Sequence, residues 1–363
     1  MDKPERVEGF RGDLLRLGRQ ARRMTQKALA QQSGVTQGYI SLIEDDQRTP
    51  SPEDISRFSS ALGFPEAFFR QPDAILGTGV GQLFHRRRKS LSPKELAAIH
   101  ALLNVKTFAV RRMMRAVDWP TENVPVWTLG VDVDSVEGAA EMLRAKWYVP
   151  AGPVRSVSLL CDQAGVLVIP TAFGTNHVDA IGLWPADLPP MVFASIDTLQ
   201  DRLRFNLMHE MAHLVLHQRS AISNVSEQVE DEANAFTSAF LMPRREIKPH
   251  LRDLSVSKLG QLKRHWRVSM AALLMRATQL GTIPPADQRR LWMEMSQHGW
   301  RTREPEQFDV LGEEPGHLYR DLVTLHRKDL GYSPEEIGTL VNLFAADVYE
   351  QILPAEPGLR LIG

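Results

Sequence analysis

Residues 207–217 read LMHEMAHLVLH, and this stretch sets the interpretation of the whole chain. His209 and His213 are four residues apart, and Glu210 directly follows the first. Residues four apart on an α-helix lie on the same face, so the two imidazoles can bind one metal ion. A zinc ion held by three protein ligands lowers the pKa of a bound water to about 7, and a neighbouring carboxylate can take its proton. The spacing therefore predicts His209 and His213 as metal ligands and Glu210 as a general base.

The alternative is an amphipathic helix whose histidines simply pack in the core, because a motif this short also arises by chance. The surrounding positions are apolar and comprise Phe205, Leu207, Met208, Met211, Ala212, Leu214, Val215 and Leu216. Burying two imidazoles and a carboxylate among such residues costs free energy unless each has a partner. This context favours the metal site.

A third protein ligand is expected from a neighbouring helix, because a catalytic zinc ion has three protein ligands and an open position. Residues 227–243, EQVEDEANAFTSAFLMP, provide candidates. Glu230 can bind the metal, and Asn234, one turn later, can hydrogen-bond to a histidine or carboxylate of the site. The alternative is a solvated acidic face on an amphipathic helix.

Together, RFNLMHEMAHLVLH at 204–217 and EDEANAFTSAFLMP at 230–243 resemble the ImmA/IrrE-type zinc metallopeptidases. Thr237 stands where that family usually has alanine, which is a mild departure. The resemblance extends over about residues 133–281. It implies an α+β, zincin-like metallopeptidase domain with a small sheet, and Zn²⁺ as the cofactor.

The resemblance also implies roles for individual residues. The metal ligands carried over are His209, His213 and Glu230, with a third ligand of the gluzincin type. Glu210 is the implied catalytic base, and Glu232 is the alternative third ligand if the alignment is displaced by half a turn. His217 continues the histidine face, and we expect it to pack or to hydrogen-bond near the ligands.

A second informative segment, residues 25–51, reads TQKALAQQSGVTQGYISLIEDDQRTPS. Thr25 and Thr36 stand where two short helices need N-caps, and the glycine between them suits a sharp turn. Ser51, followed by proline, predicts the start of a further helix. The segment resembles the Xre/Cro-type helix-turn-helix over about 60 residues.

In such a module the second helix of the pair enters the major groove, with its N-terminal residues on base edges. The resemblance thus implies contacts from Thr36, Gln37, Tyr39 and Ser41, with Gln26 on a phosphate or an adjacent base. Gln37 can form two hydrogen bonds with adenine. Phosphate contacts are expected among the cations Arg19, Arg22, Arg23, Lys27 and Arg48. The alternative is a helix-turn-helix that dimerises or binds a partner protein.

The distribution of charge supports a nucleic-acid module at the N-terminus. Residues 1–120 hold 20 lysines and arginines against 13 aspartates and glutamates, and the remainder holds 23 against 31. A basic segment on an acidic body is typical of a nucleic-acid-binding domain joined to another domain. Ordinary variation of surface charge is the alternative.

Cysteine content and hydropathy bear on the compartment. Cys161 is the single cysteine, which excludes an intrachain disulfide and a thiolate zinc cluster and suits a reducing compartment. The first ten residues, MDKPERVEGF, are rich in charge and hold no apolar signal core, and no apolar run approaches the roughly 18 residues of a membrane span. We therefore expect a cytoplasmic protein.

The chain is predicted to be multidomain and mainly α. The expected segments are a helix-turn-helix domain at 8–76, a basic linker and connecting helix at 77–124, the metallopeptidase domain at 125–283 and a helical C-terminal extension at 284–363. Strand-like runs occur at 154–160 and 166–169 and in PPMVFAS at 189–195. We expect the C-terminal helices to pack on the peptidase domain or to receive an activating signal. The basic run HRRRKS at 85–90 either extends the DNA contact or forms a solvated joint.

These features together predict a transcriptional regulator fused to a zinc endopeptidase. The resemblance implies operator-type double-stranded DNA as one partner and a protein substrate as another, either an Xre-type repressor or the chain itself, in a stress or mobile-element response. The alternative is a non-proteolytic regulator, or an antitoxin-like component, that uses the peptidase fold as a ligand or metal sensor. Helix-turn-helix proteins commonly dimerise, so a homodimer is also expected.

Overall fold

The computed structural model describes residues 9–77, 91–198, 200–218, 227–301, 303–308 and 316–353. The fold is mainly α-helical with one three-stranded sheet in these residues, which confirms the predicted class. The chain divides into two compact units, one comprising Met1–Trp119 with Tyr319–Gly363 and the other Pro120–Leu318. Within the described ranges, no helix combines the length and the apolar character needed to cross a membrane.

The first unit begins with four helices: α1 (Gly12–Ala21), α2 (Gln26–Ser33), α3 (Gln37–Glu44) and α4 (Pro52–Leu62). Each predicted cap is confirmed. The side chains of Thr25 and Thr36 accept hydrogen bonds from the backbone N–H groups of Ala28 and Tyr39, at 3.1 and 3.2 Å. These bonds satisfy backbone donors that the first turn of a helix leaves without a partner.

The turn between α2 and α3 and the start of α4 follow equally local rules. Gly34 ends α2 with a φ of 71°, a left-handed conformation that glycine adopts without steric cost. Ser51 and Asp54 form a capping box at the start of α4, where each side chain accepts from the backbone N–H of the other residue. The helix-turn-helix geometry is thus written into local sequence.

The first unit also contains the end of the described chain. Its other elements are 3₁₀ turns at Glu66–Arg70 and Met114–Ala116, a helix at Pro93–Met113, helices at His317–Thr324, Pro334–Val341 and Ala345–Asp347, and π-helical turns at Leu325–Asp329 and Val348–Ile352. Arg22, the C-cap residue of α1, pairs with Asp347 through two bonds, at 2.6 and 2.7 Å. We expect the C-terminal helices to pack on the peptidase domain or to receive an activating signal. Of these, the helix at Pro285–Gln297 lies in the second unit, whereas Tyr319–Leu353 cluster with the helix-turn-helix.

The second unit contains the sheet. Its strands β1 (Leu167–Thr171), β2 (Ala180–Leu183) and β3 (Met191–Ser195) lie in the order β1-β3-β2. β1 pairs with β3 in parallel, and β2 pairs with β3 in antiparallel orientation. Thus β2 occupies one edge of the sheet formed by the described strands. The strands predicted at 166–169 and 189–195 are confirmed, and β2 was not predicted.

Helices surround this sheet. The helix at Gln200–Leu216 is named the motif helix, and the helix at Glu227–Leu241 the glutamate helix. The other helices of the unit lie at Val136–Lys146, Val157–Gln163, Arg244–Ile247, Val256–Trp266, Met270–Gln279 and Pro285–Gln297, with 3₁₀ turns at Lys248–His250 and Glu306–Phe308. One continuous apolar core joins the sheet, the motif helix and the glutamate helix.

The strand predicted at 154–160 is wrong, because these residues lead into the helix Val157–Gln163. The Ser156 side chain accepts from Leu159 N at 3.1 Å and so caps that helix. Val157 and Cys161 are buried while Leu159 is 44% exposed, so burial follows the helical spacing of three to four residues. The short apolar run carried no periodicity clear enough to distinguish the two structures.

Candidate functional site

The motif helix and the glutamate helix bring three predicted ligands together. The Nε2 atoms of His209 and His213 lie 3.1 Å apart. Each also lies 3.5 Å from a carboxylate oxygen of Glu230. Within the described residues, His209, His213 and Glu230 form the one group of three histidine, cysteine or acidic side chains able to hold a metal ion.

The donor set fits a divalent transition metal. Two imidazole nitrogens and one carboxylate are a usual set for such an ion. Donors that share one tetrahedral ion at about 2.0–2.1 Å lie about 3.3 Å from each other. The observed separations of 3.1, 3.5 and 3.5 Å agree with a common ion. The two histidines are buried, and the side chain of Glu230 is 13% exposed, so solvent competes little with these contacts.

Buried polar contacts hold the motif helix in place. Arg204, one turn before the histidines, is almost fully buried and donates to the backbone oxygens of Val154 and Arg155, at 2.6 and 3.1 Å. At the other end, Trp127 N donates to Val215 O at 2.7 Å, which satisfies a carbonyl of the last turn. The histidine face is therefore fixed at both ends of the helix.

The glutamate helix is anchored at its C-terminal end. Arg144 donates to Phe240 O at 2.6 Å, and Arg276 donates to Met242 O at 3.1 Å. Both guanidinium groups are buried, and positive charge at a helix C-terminus interacts favourably with the helix dipole. The glutamate helix is thus held in place about three turns after Glu230.

Glu210, the predicted base, contacts the edge strand of the sheet. Its Oε2 accepts a hydrogen bond from Gly182 N of β2 at 2.8 Å, and the residue is buried. A Cβ at position 182 would lie 3.4 Å from both the Cβ and the Oε2 of Glu210, at the close limit of ordinary van der Waals contact. Gly182 is a site residue that the sequence did not reveal; the signal available was a short apolar run, AIGL, with a glycine inside it.

His217 and Glu232 lie beside the three predicted ligands. His217 Nδ1 lies 3.0 Å from His213 Nδ1, and His217 Nε2 lies 3.1 Å from Glu232 Oε2. Burial lowers the pKa of His217 and so favours the neutral ring. The hydrogen bond and the charge of Glu232 act in the opposite direction and are the smaller effect. Glu232 therefore meets His217, and Glu230 is the carboxylate that meets His209 and His213.

In the helix-turn-helix, several predicted phosphate ligands have other partners. Arg19 donates to both carboxylate oxygens of the buried Glu44, at 2.6 and 2.7 Å. Arg19 is thus engaged within the domain, and Arg22 pairs with Asp347. Gln26, a predicted DNA contact, donates from Nε2 to Glu44 Oε2 at 2.9 Å. Arg23, Lys27 and Arg48 are exposed.

The N-terminal part of α3 presents polar groups at the surface. Thr36 and Gln37 are exposed, and Ser41 is half-buried one turn further. Tyr39 donates to Asp54 Oδ2 at 2.6 Å, and burial together with this bond raises the pKa of its phenol to about 12. The Arg48 guanidinium lies 4.8 Å from the centre of the Tyr39 ring, a cation–π contact.

Leu42 of α3 is 40% exposed, and it follows the exposed Gly38 by one turn. The basic run at 85–90 lies outside the described residues.

Comparisons with known proteins agree with this arrangement. Residues 12–69 match the family model described as a helix-turn-helix domain. Residues 161–278 match the model of peptidase family M78, described as an IrrE N-terminal-like domain. Neither the curated proteins nor the solved structures yielded a match to the chain. The chain therefore carries a helix-turn-helix domain followed by an IrrE N-terminal-like peptidase domain, which confirms the fusion expected from the resemblance.

Proposed function

We propose that this chain is a DNA-binding transcriptional regulator fused to a zinc-dependent endopeptidase. The observation that carries the proposal is the convergence of the His209 and His213 Nε2 atoms on the two oxygens of Glu230. The match to a peptidase family over residues 161–278, a range that contains all three side chains, supports the same reading. The helix-turn-helix match and the single cysteine, which suits a reducing compartment, support a cytoplasmic location.

His209, His213 and Glu230 would hold the ion. When bound, Zn²⁺ supplies Lewis-acid chemistry that lowers the pKa of a water and polarises a carbonyl. Glu210 accepts a proton from the attacking water and passes it to the leaving amine as the carbon–nitrogen bond breaks. The bond from Gly182 N fixes one oxygen of the Glu210 carboxylate, so the base needs little rearrangement.

We propose a repressor-type protein, or this chain itself, as the substrate, in a stress or mobile-element response. The fusion supports this idea because it holds a peptidase on the same chain as a repressor-like DNA-binding domain. Cleavage in cis is tested by incubating the purified zinc-loaded chain alone and with an added repressor. An intact chain beside a cut repressor would leave the added protein as the substrate.

Metal content is the first test. Mass spectrometry of the purified full chain should find about one zinc per molecule, and His209→Ala should lose it. Glu210→Gln should keep the metal and lose cleavage, because the amide cannot accept the proton. A chain that takes up no zinc contradicts the metallopeptidase. Zinc binding by a wild type that cleaves no protein would favour the alternative, a regulator that senses metal without proteolysis. Cleavage that is unchanged in Glu210→Gln would contradict Glu210 as the base.

For DNA we propose that α3 enters the major groove of an operator-type site, with the chain binding as a dimer. The exposed Gln37 would read adenine, Thr36, Ser41 and Gln26 would make further polar contacts, and Leu42 would meet a thymine methyl group. Tyr39 would serve chiefly as the platform that positions Arg48 toward a phosphate.

The two kinds of contact predict different behaviour on DNA. Arg48→Ala should weaken binding to all sequences and reduce the salt slope by about one, whereas Gln37→Ala should lose discrimination at one base pair. A Gln37→Ala protein that retains full discrimination would contradict the assignment of α3.

A further inference from the structure

The side chain of His213 is linked to two residues that lie outside the ligand group. Its Nε2 faces His209 and Glu230, while its Nδ1 lies 3.0 Å from His217 Nδ1. The other nitrogen of His217 lies 3.1 Å from Glu232 Oε2. The side chains of His213 and His217 are 2% and 6% exposed, so water does not readily replace either contact.

The hydrogen bonds that join His213, His217 and Glu232 select one tautomer for each imidazole ring. A carboxylate only accepts hydrogen bonds, so His217 donates from Nε2 to Glu232. A neutral His217 then has its lone pair on Nδ1, and His213 must donate to it from its own Nδ1. This arrangement leaves the lone pair of His213 on Nε2, the atom that faces the ligand group.

We propose that Glu232 and His217 are positioning residues that fix His213 as its Nδ1–H tautomer and so prepare Nε2 to bind the metal. The inference rests on the proposed metal site and extends it to a relay, defined as Glu232, His217 and His213. It gives separate roles to two acidic residues of one helix, because Glu230 faces the metal position while Glu232 orients a histidine.

The acidic end of the relay is itself held. Gln228 donates from Nε2 to Glu232 Oε1 at 2.9 Å, one turn earlier on the glutamate helix. That bond occupies the oxygen that does not face His217 and directs the other toward the ring. Partners of this kind typically affect metal affinity by about 10- to 100-fold.

Two substitutions of His217 separate a hydrogen-bonding role from simple packing. His217→Leu removes the acceptor and keeps an apolar side chain of comparable bulk. His217→Asn keeps a carbonyl oxygen near the position of Nδ1, so it should still accept from His213. We expect the zinc dissociation constant, measured on the full chain by chelator competition, to rise about 10- to 100-fold in His217→Leu. It should recover most of that loss in His217→Asn.

Glu232→Gln tests the other end of the relay in a position that tolerates substitution, since this side chain is 21% exposed. An amide can donate as well as accept, so the tautomers of His217 and His213 are no longer specified. The matched control is Asp231→Asn, which removes one negative charge from an exposed neighbour on the same helix. The control should bind zinc as the wild type does, while Glu232→Gln binds it more weakly.

The direct readout is ¹⁵N NMR of the imidazole nitrogens in the metal-free full chain. The wild type should show His213 as the Nδ1–H tautomer, and both His217→Leu and Glu232→Gln should show a mixture. A wild-type His213 that carries its proton on Nε2 overturns the inference. So does zinc binding by His217→Leu within about twofold of the wild type, below the range expected for such a partner. Failure of the wild type to bind zinc contradicts the proposed function instead, and the metal-free spectrum still tests the relay.

Discussion

Replacing Arg19 by methionine removes the guanidinium group that holds Glu44 and keeps most of the apolar stem. Arg19 donates to the two oxygens of Glu44 at 2.6 and 2.7 Å, and to Met24 O at 2.9 Å. The side chains of Arg19 and Glu44 are 11% and 1% exposed. The variant therefore leaves a buried carboxylate without its main cationic partner.

The expected loss follows from these contacts. Breaking a buried ion pair by removing one partner costs about 3–5 kcal/mol. Glu44 keeps the bond from Gln26 at 2.9 Å and a weaker contact with Arg16 at 3.6 Å. Because these two remain, we expect the lower end, about 3 kcal/mol of unfolding free energy in the first unit. The pair is too buried for solvent to screen it as it screens a surface salt bridge.

Hydrogen exchange of the full chain, followed by mass spectrometry of peptides from α1 to α4, measures this loss locally. The control is Arg57→Met, which breaks an exposed pair with Glu53 and should cost at most about 0.5 kcal/mol. Adding Glu44→Met to Arg19→Met should restore much of the stability, because no buried charge is then stranded. A loss below about 1 kcal/mol together with a reduced salt slope on DNA would refute the reasoning and return Arg19 to the phosphate ligands.

Three further outcomes are expected. Tyr39→Phe should lower the unfolding free energy by about 1 kcal/mol by removing the bond to Asp54. In the wild type, burial raises the pKa of the Tyr39 phenol to about 12. The stabilisation should therefore be complete below pH 10 and lost as the pH approaches 12, and an absorbance titration can follow the ionisation of the phenol. Burial lowers the pKa of Lys106 to about 8. The unfolding free energy should therefore rise from about pH 8 to 10.5, because the unfolded chain binds more protons than the folded one in this range. Lys106→Met should abolish that rise, as denaturation measured at several pH values would show. Gly12→Ala places a Cβ 1.9 Å from a backbone oxygen of α3, so the melting temperature should fall through a loss of at least about 2 kcal/mol of unfolding free energy. The control Gly38→Ala meets nothing within 4 Å and should raise the unfolding free energy by about 0.5 kcal/mol.

The parts of the fold that depend on neighbouring residues were predictable. Thr25, Thr36 and Ser51 cap their helices as expected, because an N-cap needs only a side-chain oxygen two or three residues before a free N–H. The spacing of His209 and His213 likewise determines a shared face once the segment is a helix. Such signals involve a few residues and one backbone geometry.

The parts that depend on distant residues were not predictable in this way. β2 has only four residues, all buried, so it shows no alternation of exposed and buried positions. Arg19 reads as a surface cation until Glu44, 25 residues later, folds against it. The contact of Glu210 with Gly182 joins a helix to a strand 28 residues away. Composition carries no information about such partners. A charged residue is rarely buried unless it is paired, so its burial can be predicted only when the partner is known.

The two glutamates of the glutamate helix illustrate where sequence reasoning ends. Glu230 and Glu232 are two residues apart and therefore about 200° apart around the helix axis, which suggests that one serves the site and the other faces solvent. The motif helix, however, presents a third histidine one turn beyond the ligand pair. Glu230 reaches the first two histidines and Glu232 reaches His217. The sequence offered the two glutamates as alternatives for the third ligand, whereas in the structure both contact histidines. Glu230 faces the nitrogens that can share a metal ion with it, and Glu232 faces the nitrogen of His217 that can donate to it. Replacing each glutamate separately by glutamine should consequently give different losses. Glu230→Gln should abolish zinc binding, and Glu232→Gln should weaken it.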